Sequence, residues 1–327
     1  MLTTGEKAYG LAEVRELIAL RLGPDHVPAK FKIITDTSDF CRVEYHDVVV
    51  LAGVPYLVQG YEREGRFGID DEVKHWVRRA IDLRDGAKKI LKLVFHESFD
   101  ARVGEMTIRC FRSPKKEARI LRLVADHPLF MHGHAQPDAA GNIIRVLDFI
   151  RGRRFDEIAC EPGRNHEDYF YHHFPGVLDQ FIEMSLAILF LHDHGEKHGD
   201  IRRDHILFDR DTGTNRWIDF DYNYMHGESM FGYDLHGLGN ILLFLAGRGD
   251  ITVQDLYYQD RPRFDSLYQE DLNIIFKNRV ANLQKIFPYI PESLNRVLLH
   301  FSRGANLFYE NTAQFVEDLR EARQDLR

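Results

Sequence analysis

The sequence predicts an α+β protein in which a smaller antiparallel sheet precedes a larger, mostly helical part. Three observations lead there. Short β-rich runs crowd the stretch from Phe31 to Phe95. Long apolar helical patterns dominate from about Asp156 onward. A length of 327 residues is enough for two cores without staples.

The elements follow in order. Residues 11–22 carry apolar groups at helical spacing, an amphipathic helix. Val48–Leu51, Tyr56–Val58, Trp76–Ile81 and Ile90–Phe95 are β-rich runs divided by turns such as Arg84-Asp-Gly86, which reads as an antiparallel meander. Ser113 and Pro114 start a helix, an N-cap hydroxyl followed by proline where its missing N–H costs nothing. Ile120, Leu121, Leu123 and Val124 give that helix an apolar face, and His127-Pro128 ends it. Ile143–Ile150 is a further strand after the turn Ala140-Gly-Asn142. Leu178–His192 is a nearly all-apolar helix that should be buried. His205–Phe208 and Arg216–Phe220 are short strand-like pieces joined by the turn Asp209–Gly213. Gly237–Ala246 is again helical and apolar, and amphipathic helices between 294 and 319 close the chain. This order puts a boundary near Asp148–Gly152: an extension over 1–45, a sheet lobe over 46–150 and a helical lobe over 151–327.

Composition narrows the function classes. Apolar residues at 44% and charged residues at 29% describe a soluble globular chain and exclude a collagen-like or disordered one. No uncharged apolar run approaches the roughly 18 residues that span a bilayer, and the N-terminus carries no apolar leader. The expected location is cytoplasmic. Cys41, Cys110 and Cys160 are too scattered for a disulfide framework or zinc knuckle and read as buried free thiols. With 43 basic and 51 acidic residues the net charge is −8, which provides no field for nucleic acid. His192, His194, His198 and His205 lie close together but lack the i, i+4 pair flanking a glutamate that a zinc hydrolase needs.

The stretch from His198 to Phe208, His-Gly-Asp-Ile-Arg-Arg-Asp-His-Ile-Leu-Phe, carries the most chemistry, together with Trp217-Ile-Asp-Phe-Asp221. Asp200 sits beside a histidine in a loop after a buried helix, and Asp219 follows a short strand nineteen residues later. Two carboxylates so spaced suit one cleft, one near a hydroxyl nucleophile and one near a divalent ion. Phosphoryl transfer needs that arrangement.

On these residues the sequence resembles the protein-kinase-like superfamily. His198-Gly-Asp200 with Ile201, Ile206 and Leu207 resembles the catalytic loop, and Asp219-Phe-Asp221 the metal-binding triplet. Lys92, mid-strand in Ile-Leu-Lys-Leu-Val, is similar to the lysine that anchors phosphates. Glu117 is similar to its partner on the following helix, with Glu105 as the competing acid. Asp148-Phe149-Ile150 resembles the strand leading into the interlobe hinge, and Tyr233–Gly239 the start of the central buried helix, whose Asp234 holds the catalytic loop. Gly60, Gly65 and Gly68 stand between two strands, where the family's phosphate-covering loop lies. Their spacing is not Gly-x-Gly-x-x-Gly, and an ordinary hairpin uses glycine equally. The resemblance covers about residues 55–320 in order and implies a two-lobed protein-kinase-like fold: an antiparallel β-sheet N-lobe with one main helix, and a mostly helical C-lobe.

Departures from the family pattern also bear on function. His205 stands where the family has an asparagine for the second metal. Imidazole binds divalent ions, but hard Mg²⁺ prefers oxygen, so His205 weakens one metal site, favours Mn²⁺, or binds no metal. Asp221 replaces the glycine of the triplet and either adds a metal contact or caps the loop; Asp-Phe-Asp is familiar from relatives that phosphorylate small molecules or lipopolysaccharide cores. Gly199 replaces the arginine that reads a phosphorylated activation loop. Only fifteen positions separate Asp219 from Asp234, with no Ala-Pro-Glu between them. Arg202 stands where protein kinases keep a phosphate-contacting lysine; the other reading is a solvated loop arginine.

The resemblance implies an ATP-dependent kinase assisted by Mg²⁺ or Mn²⁺. ATP lies with its adenine against Asp148, Phe149 and Ile150, and Lys92, held by Glu117, grips the α- and β-phosphates. Asp219, with His205 and Asp221, serves the metal, and Asp200 takes the proton of the acceptor hydroxyl. The acceptor is a protein serine or threonine, or a small molecule or glycan; the short segment after the triplet favours a small molecule, a glycan or a specialised protein over the broad range of a signalling kinase. Two rival classes stand beside this one. A pseudokinase, a nucleotide-binding or scaffolding module, is favoured by His205 and the glycine spacing and opposed by the joint presence of Lys92, Asp200 and Asp219. A lipopolysaccharide-core kinase would need a basic membrane-facing patch, for which Arg151-Gly-Arg-Arg154 is short.

Overall fold

The computed structural model describes residues 8–66, 69–103, 106–161, 163, 165–225 and 229–326. They group into two compact units. One holds residues 8–97, Arg112–His127 and Met131–Ile150; the other holds Ser98–Phe111, Pro128–Phe130 and 151–326. Residues 98–103, 106–111 and 128–130, which the sequence order puts in the sheet lobe, therefore group with the helical unit, and residues 8–45 of the extension group with the sheet.

The strands of the first unit are β1 (Ile33–Ile34), β2 (Val48–Leu51), β3 (Val54–Arg66), β4 (Ile69–Asp82), β5 (Lys88–Lys92), β8 (Gly133–Pro137) and β9 (Ile143–Asp148), numbered along the whole chain. They form one sheet in the order β1-β2-β3-β4-β5-β9-β8, antiparallel except for the β1–β2 pair. All four residues of β2 are buried. Because successive strand residues point to opposite faces, an unbroken apolar run needs cover on both. Val49 and Leu51 join Tyr56, Val58, Leu91 and Val146 in the core of one face. Val48, Val50 and Leu57 pack on the other against Val14 and Ile18 of helix α1 (Leu11–Leu22).

The extension is tied in by polar contacts too. The amide and hydroxyl of Thr37 both donate to Asp138 Oδ2 at 2.7 Å. The buried Arg78 guanidinium donates to the backbone carbonyls of Phe40, Val43 and His75. Helix α2 (Pro114–Leu123) is capped by Ser113, whose hydroxyl accepts from the Lys116 amide at 3.3 Å, and its buried side chains include Glu117, Ile120 and Leu121. It packs on β8 and β9.

In the second unit a hairpin of β6 (Ser98–Val103) and β7 (Met106–Arg112), not anticipated from the sequence, pairs with β13 (Tyr222–Tyr224). A second small sheet joins β10 (Gly152–Arg154), β11 (Ile206–Asp209) and β12 (Thr214–Trp217). The helices are α3 (Phe155–Ala159), α4 (His166–His172), α5 (Phe174–Asp193), α6 (Gly232–Ala246), α7 (Val253–Gln259), α8 (Arg261–Asp265), α9 (Glu292–Leu299) and α10 (Thr312–Gln324). By length and composition alone α5 is apolar enough to cross a bilayer. Its Leu178, Phe181, Met184, Ile188 and Leu191 are buried, and it packs against α6 and α10 as a core helix. The closing helices predicted over 294–319 are α9 and α10, with residues 300–311 outside them. All three thiols are free; Cys110 is buried and Cys160 half-buried, but Cys41 is exposed, contrary to the expectation for it.

If α1 is part of the core, Ile18→Ala should lower the unfolding free energy by about 2–4 kcal/mol. Urea denaturation followed by circular dichroism measures this.

Candidate functional site

In the first unit the site is built across one strand pair and one helix. Lys92 on β5 stands in register opposite Arg145 on β9, so both side chains rise from the same face of the sheet. Glu117 comes to them from α2. Its Oε1 accepts from Lys92 Nζ at 2.8 Å and its Oε2 from Arg145 Nε at 2.9 Å. All three residues are buried. Glu105, the competing acid, lies outside the described residues.

At the end of β9, Asp148 Oδ1 lies 2.6 Å from Lys89 Nζ, and the Asp148 amide donates to His132 O at 2.9 Å. Phe149 is partly exposed, with Lys88 Nζ 5.9 Å from its ring centre, and Ile150 is half-buried. Gly60 falls at a shift in the β3–β4 register, and Gly65 lies within β3 at another, between Glu64 and Arg66. The two therefore belong to a long irregular hairpin. Gly68 lies outside the described residues.

In the second unit one buried carboxylate organises the loop that carries Asp200. Asp234, near the start of α6, accepts from the His198 amide at 2.7 Å and the Gly199 amide at 2.9 Å. It also receives the Nε2–H of His192 at 3.1 Å, and His192 Nδ1 in turn lies 2.7 Å from the Thr312 hydroxyl. Gly199 turns here with φ of +87°, a left-handed conformation that an arginine side chain would resist. The loop then rests directly on α6: a Cβ at Gly237 would fall 2.6 Å from Ile201 Cβ. On its other side Lys197 donates to Tyr224 O at 3.0 Å, and burial lowers its pKa below that of a free ammonium.

His205 links the two acids of the motif. Its Nδ1 lies 2.8 Å from the carbonyl oxygen of Asp200. A carbonyl only accepts, so Nδ1 carries a proton, and in the neutral ring the lone pair is on Nε2. That nitrogen faces Asp219 Oδ2 at 3.7 Å, while Asp200 Oδ2 is 3.7 Å from Nδ1. Asp219 holds φ at +64°, a region that aspartate enters more readily than most residues. Phe220 beside it packs edge-on to Phe130 and His198. Asp221 is 2% exposed and precedes β13.

Arg202 binds Asp204 through two contacts, at 2.6 and 3.1 Å. Burial alone would raise the Asp204 carboxyl, but His205 and Arg202 hold it below the ordinary carboxylate value. Arg202 is thus paired with Asp204 while its side chain stays 30% exposed. Sequence reasoning missed Arg145 and His192. A charge inside the apolar run Ile143-Ile-Arg-Val-Leu was the visible signal for Arg145; nothing in sequence distinguished His192 from its neighbours on a buried helix.

No family model matches the sequence. Among solved structures, the kinase PK-1 of Cydia pomonella granulovirus is similar with a TM-score of 0.51 at 11% identity, over 80% of this chain and 93% of that one. The chain has a protein-kinase-like fold. Among curated proteins, the 2-5A-dependent ribonuclease of Mus musculus is 28% identical over 165 residues, 48% of this chain and 22% of the relative. A Trypanosoma brucei brucei protein named as a serine/threonine-protein kinase A is 22% identical over 175 residues, 53% of this chain and 37% of the relative. The matches span well under half the length of these two relatives.

Within this kinase-like fold, Asp234→Asn should cost about 2–3 kcal/mol, because three donors would then share one acceptor oxygen. Urea unfolding, with hydrogen exchange at the Gly199 amide, reads both the cost and its location. Asp204 supplies a pH test. Its folded pKa is depressed, so its contribution is present above the unfolded value of about 4 and is lost as pH falls through the folded one. The stability gap between the wild type and Asp204→Asn should be full at pH 7 and shrink below about pH 4 in a urea series.

Proposed function

We propose that this chain is an ATP-dependent phosphotransferase that moves the γ-phosphoryl group to a hydroxyl acceptor. One observation carries the reading: a buried Lys92–Glu117 pair at 2.8 Å in one unit accompanies, in the other, two carboxylates that each lie 3.7 Å from one buried imidazole. The kinase-like fold and the kinase-named relative support it.

Lys92 binds the α- and β-phosphate oxygens of ATP as a point charge, and Glu117 keeps that ammonium aimed. Adenine lies against Asp148, Phe149 and Ile150. A divalent cation, Mg²⁺ or Mn²⁺, fits the donor set of Asp219 Oδ2 and His205 Nε2, with Asp221 as a further acid. Among the described residues no cluster of three or more His, Cys, Asp or Glu is assembled for an ion. Phosphate oxygens and water would complete the shell, the usual habit of Mg²⁺, while the imidazole favours Mn²⁺. When bound, the ion neutralises phosphate charge. Asp200 accepts a hydrogen bond from the acceptor hydroxyl and takes its proton as the new oxygen–phosphorus bond forms and the bond to the departing ADP oxygen breaks. Arg202 reaches the transferred phosphate only by sharing or leaving Asp204. The brevity of the chain between Asp219 and Asp234 favours a small molecule, a glycan or a specialised protein as acceptor.

A second reading, a pseudokinase that binds nucleotide or partners without turnover, is favoured by His205 standing where kinases keep an asparagine. ADP release with Mg²⁺ and with Mn²⁺ separates the two. Asp200→Asn should fall about 10²–10⁴-fold below the wild type, and Asp219→Asn should lose the metal-dependent rate. Equal background rates in all three proteins would establish the pseudokinase.

A further inference from the structure

Lys92 and Arg145 face each other across the β5–β9 ladder, 3% and 1% exposed. Like charges directly opposite on a sheet repel, and burial away from water makes each of them costly. Glu117, fully buried, is what makes the arrangement stable: one carboxylate oxygen serves the lysine and the other the arginine.

The two cations are held differently. Arg145 is anchored in the sheet at further points, its guanidinium donating to Ile143 O at 2.7 Å and to Leu93 O at 3.3 Å. A planar guanidinium with donors in a rigid fork has little freedom once three of them are engaged. Lys92 has a flexible four-carbon stem and is the group a phosphate would draw on. The carboxylate between them therefore has one oxygen on a guanidinium that is also anchored to two backbone carbonyls, and the other on an ammonium with a long rotatable stem.

We propose that Arg145 is a positioning residue: it orients Glu117 so that the Lys92–Glu117 pair stays closed without nucleotide, modification or a second protein. The pair is then a permanent part of the first unit rather than a switch. The consequence for ATP rests on the phosphotransferase reading; the coupling of the three side chains does not.

The test is a double-mutant cycle in the full chain with Arg145→Met, Glu117→Gln and both, read by ADP affinity and by urea unfolding. Arg145→Met should weaken ADP binding about tenfold in the wild-type background and less than twofold in the Glu117→Gln background, because the arginine acts only through the glutamate. In urea the sign should reverse. Arg145→Met lowers the midpoint when Glu117 is present to be orphaned, and raises it when Glu117→Gln has already left two buried cations facing each other. Arg145→Lys, which restores a cation but not the fork, should leave ADP binding weakened by most of the roughly tenfold lost in Arg145→Met. Additive effects in both readouts, or full rescue by lysine, would overturn the proposal. If Arg145→Met does not fold, Arg145→Gln takes its place in the cycle. A wild type that binds no ADP would sink the phosphotransferase reading, and the urea cycle would still decide the role of Arg145.

Discussion

The carboxylate of Asp234 is the constraint on which the geometry of the loop over residues 198–205 depends. Buried and acceptor-only, it must be met by donors, and it is met by two consecutive backbone amides and one imidazole. Consecutive amides converge on one carboxylate only when the backbone turns sharply, and the positive φ of Gly199 supplies that turn. Once His198 and Gly199 are fixed, Asp200 has one place to be. Its carbonyl then holds His205 by Nδ1, which fixes the proton on that nitrogen and leaves Nε2 facing Asp219. A chain of single-acceptor choices thus leads from a helix terminus to the relation between the two acids.

The sheet unit uses the same device with different donors. Glu117 is also fully buried with both oxygens engaged, here by side-chain cations rather than amides. The difference has physical consequences. Amides cannot leave a carboxylate without unfolding the loop, whereas an ammonium on a long stem can exchange partners. Under the proposed phosphotransfer, the rigid acceptor lies where geometry must not change and the exchangeable one where a phosphate must be admitted.

Much of this was legible in sequence, for reasons that can be named. The helix start at Ser113-Pro114, the apolar helix over Leu178–His192 and the spacing of Asp200, Asp219 and Asp234 are patterns along the chain, and such patterns survive without coordinates. Arg145 was not legible, because its meaning depends on a strand register that pairs residues 53 positions apart, Lys92 with Arg145. The hairpin of β6 and β7 was missed because its charged alternation, Asp100-Ala-Arg102 and Thr107-Ile-Arg109, reads as loop until its pairing with β13 is known. For the 1–45 extension the sequence left packing on the sheet or dimerising open. The run Val48–Leu51 speaks for the first, because four apolar residues in a strand demand cover on both faces and the amphipathic segment at 11–22 supplies it.

The stretch after Asp219 carries the last constraint. Phe220 is buried against Phe130 and His198. Tyr222–Tyr224 is the strand β13, and the Met225 amide donates to Arg109 O at 2.9 Å. The Tyr224 hydroxyl then donates to Met230 O at 3.1 Å, and α6 begins at Gly232. Phe220 is thereby committed to the core, Tyr222–Tyr224 to a sheet and the chain from Gly232 onward to a helix. Under the proposed phosphotransfer, an acceptor reaching Asp200 is selected by side chains that strands and helices already hold in place. Under that reading a compact hydroxyl-bearing molecule is a better fit than a long peptide.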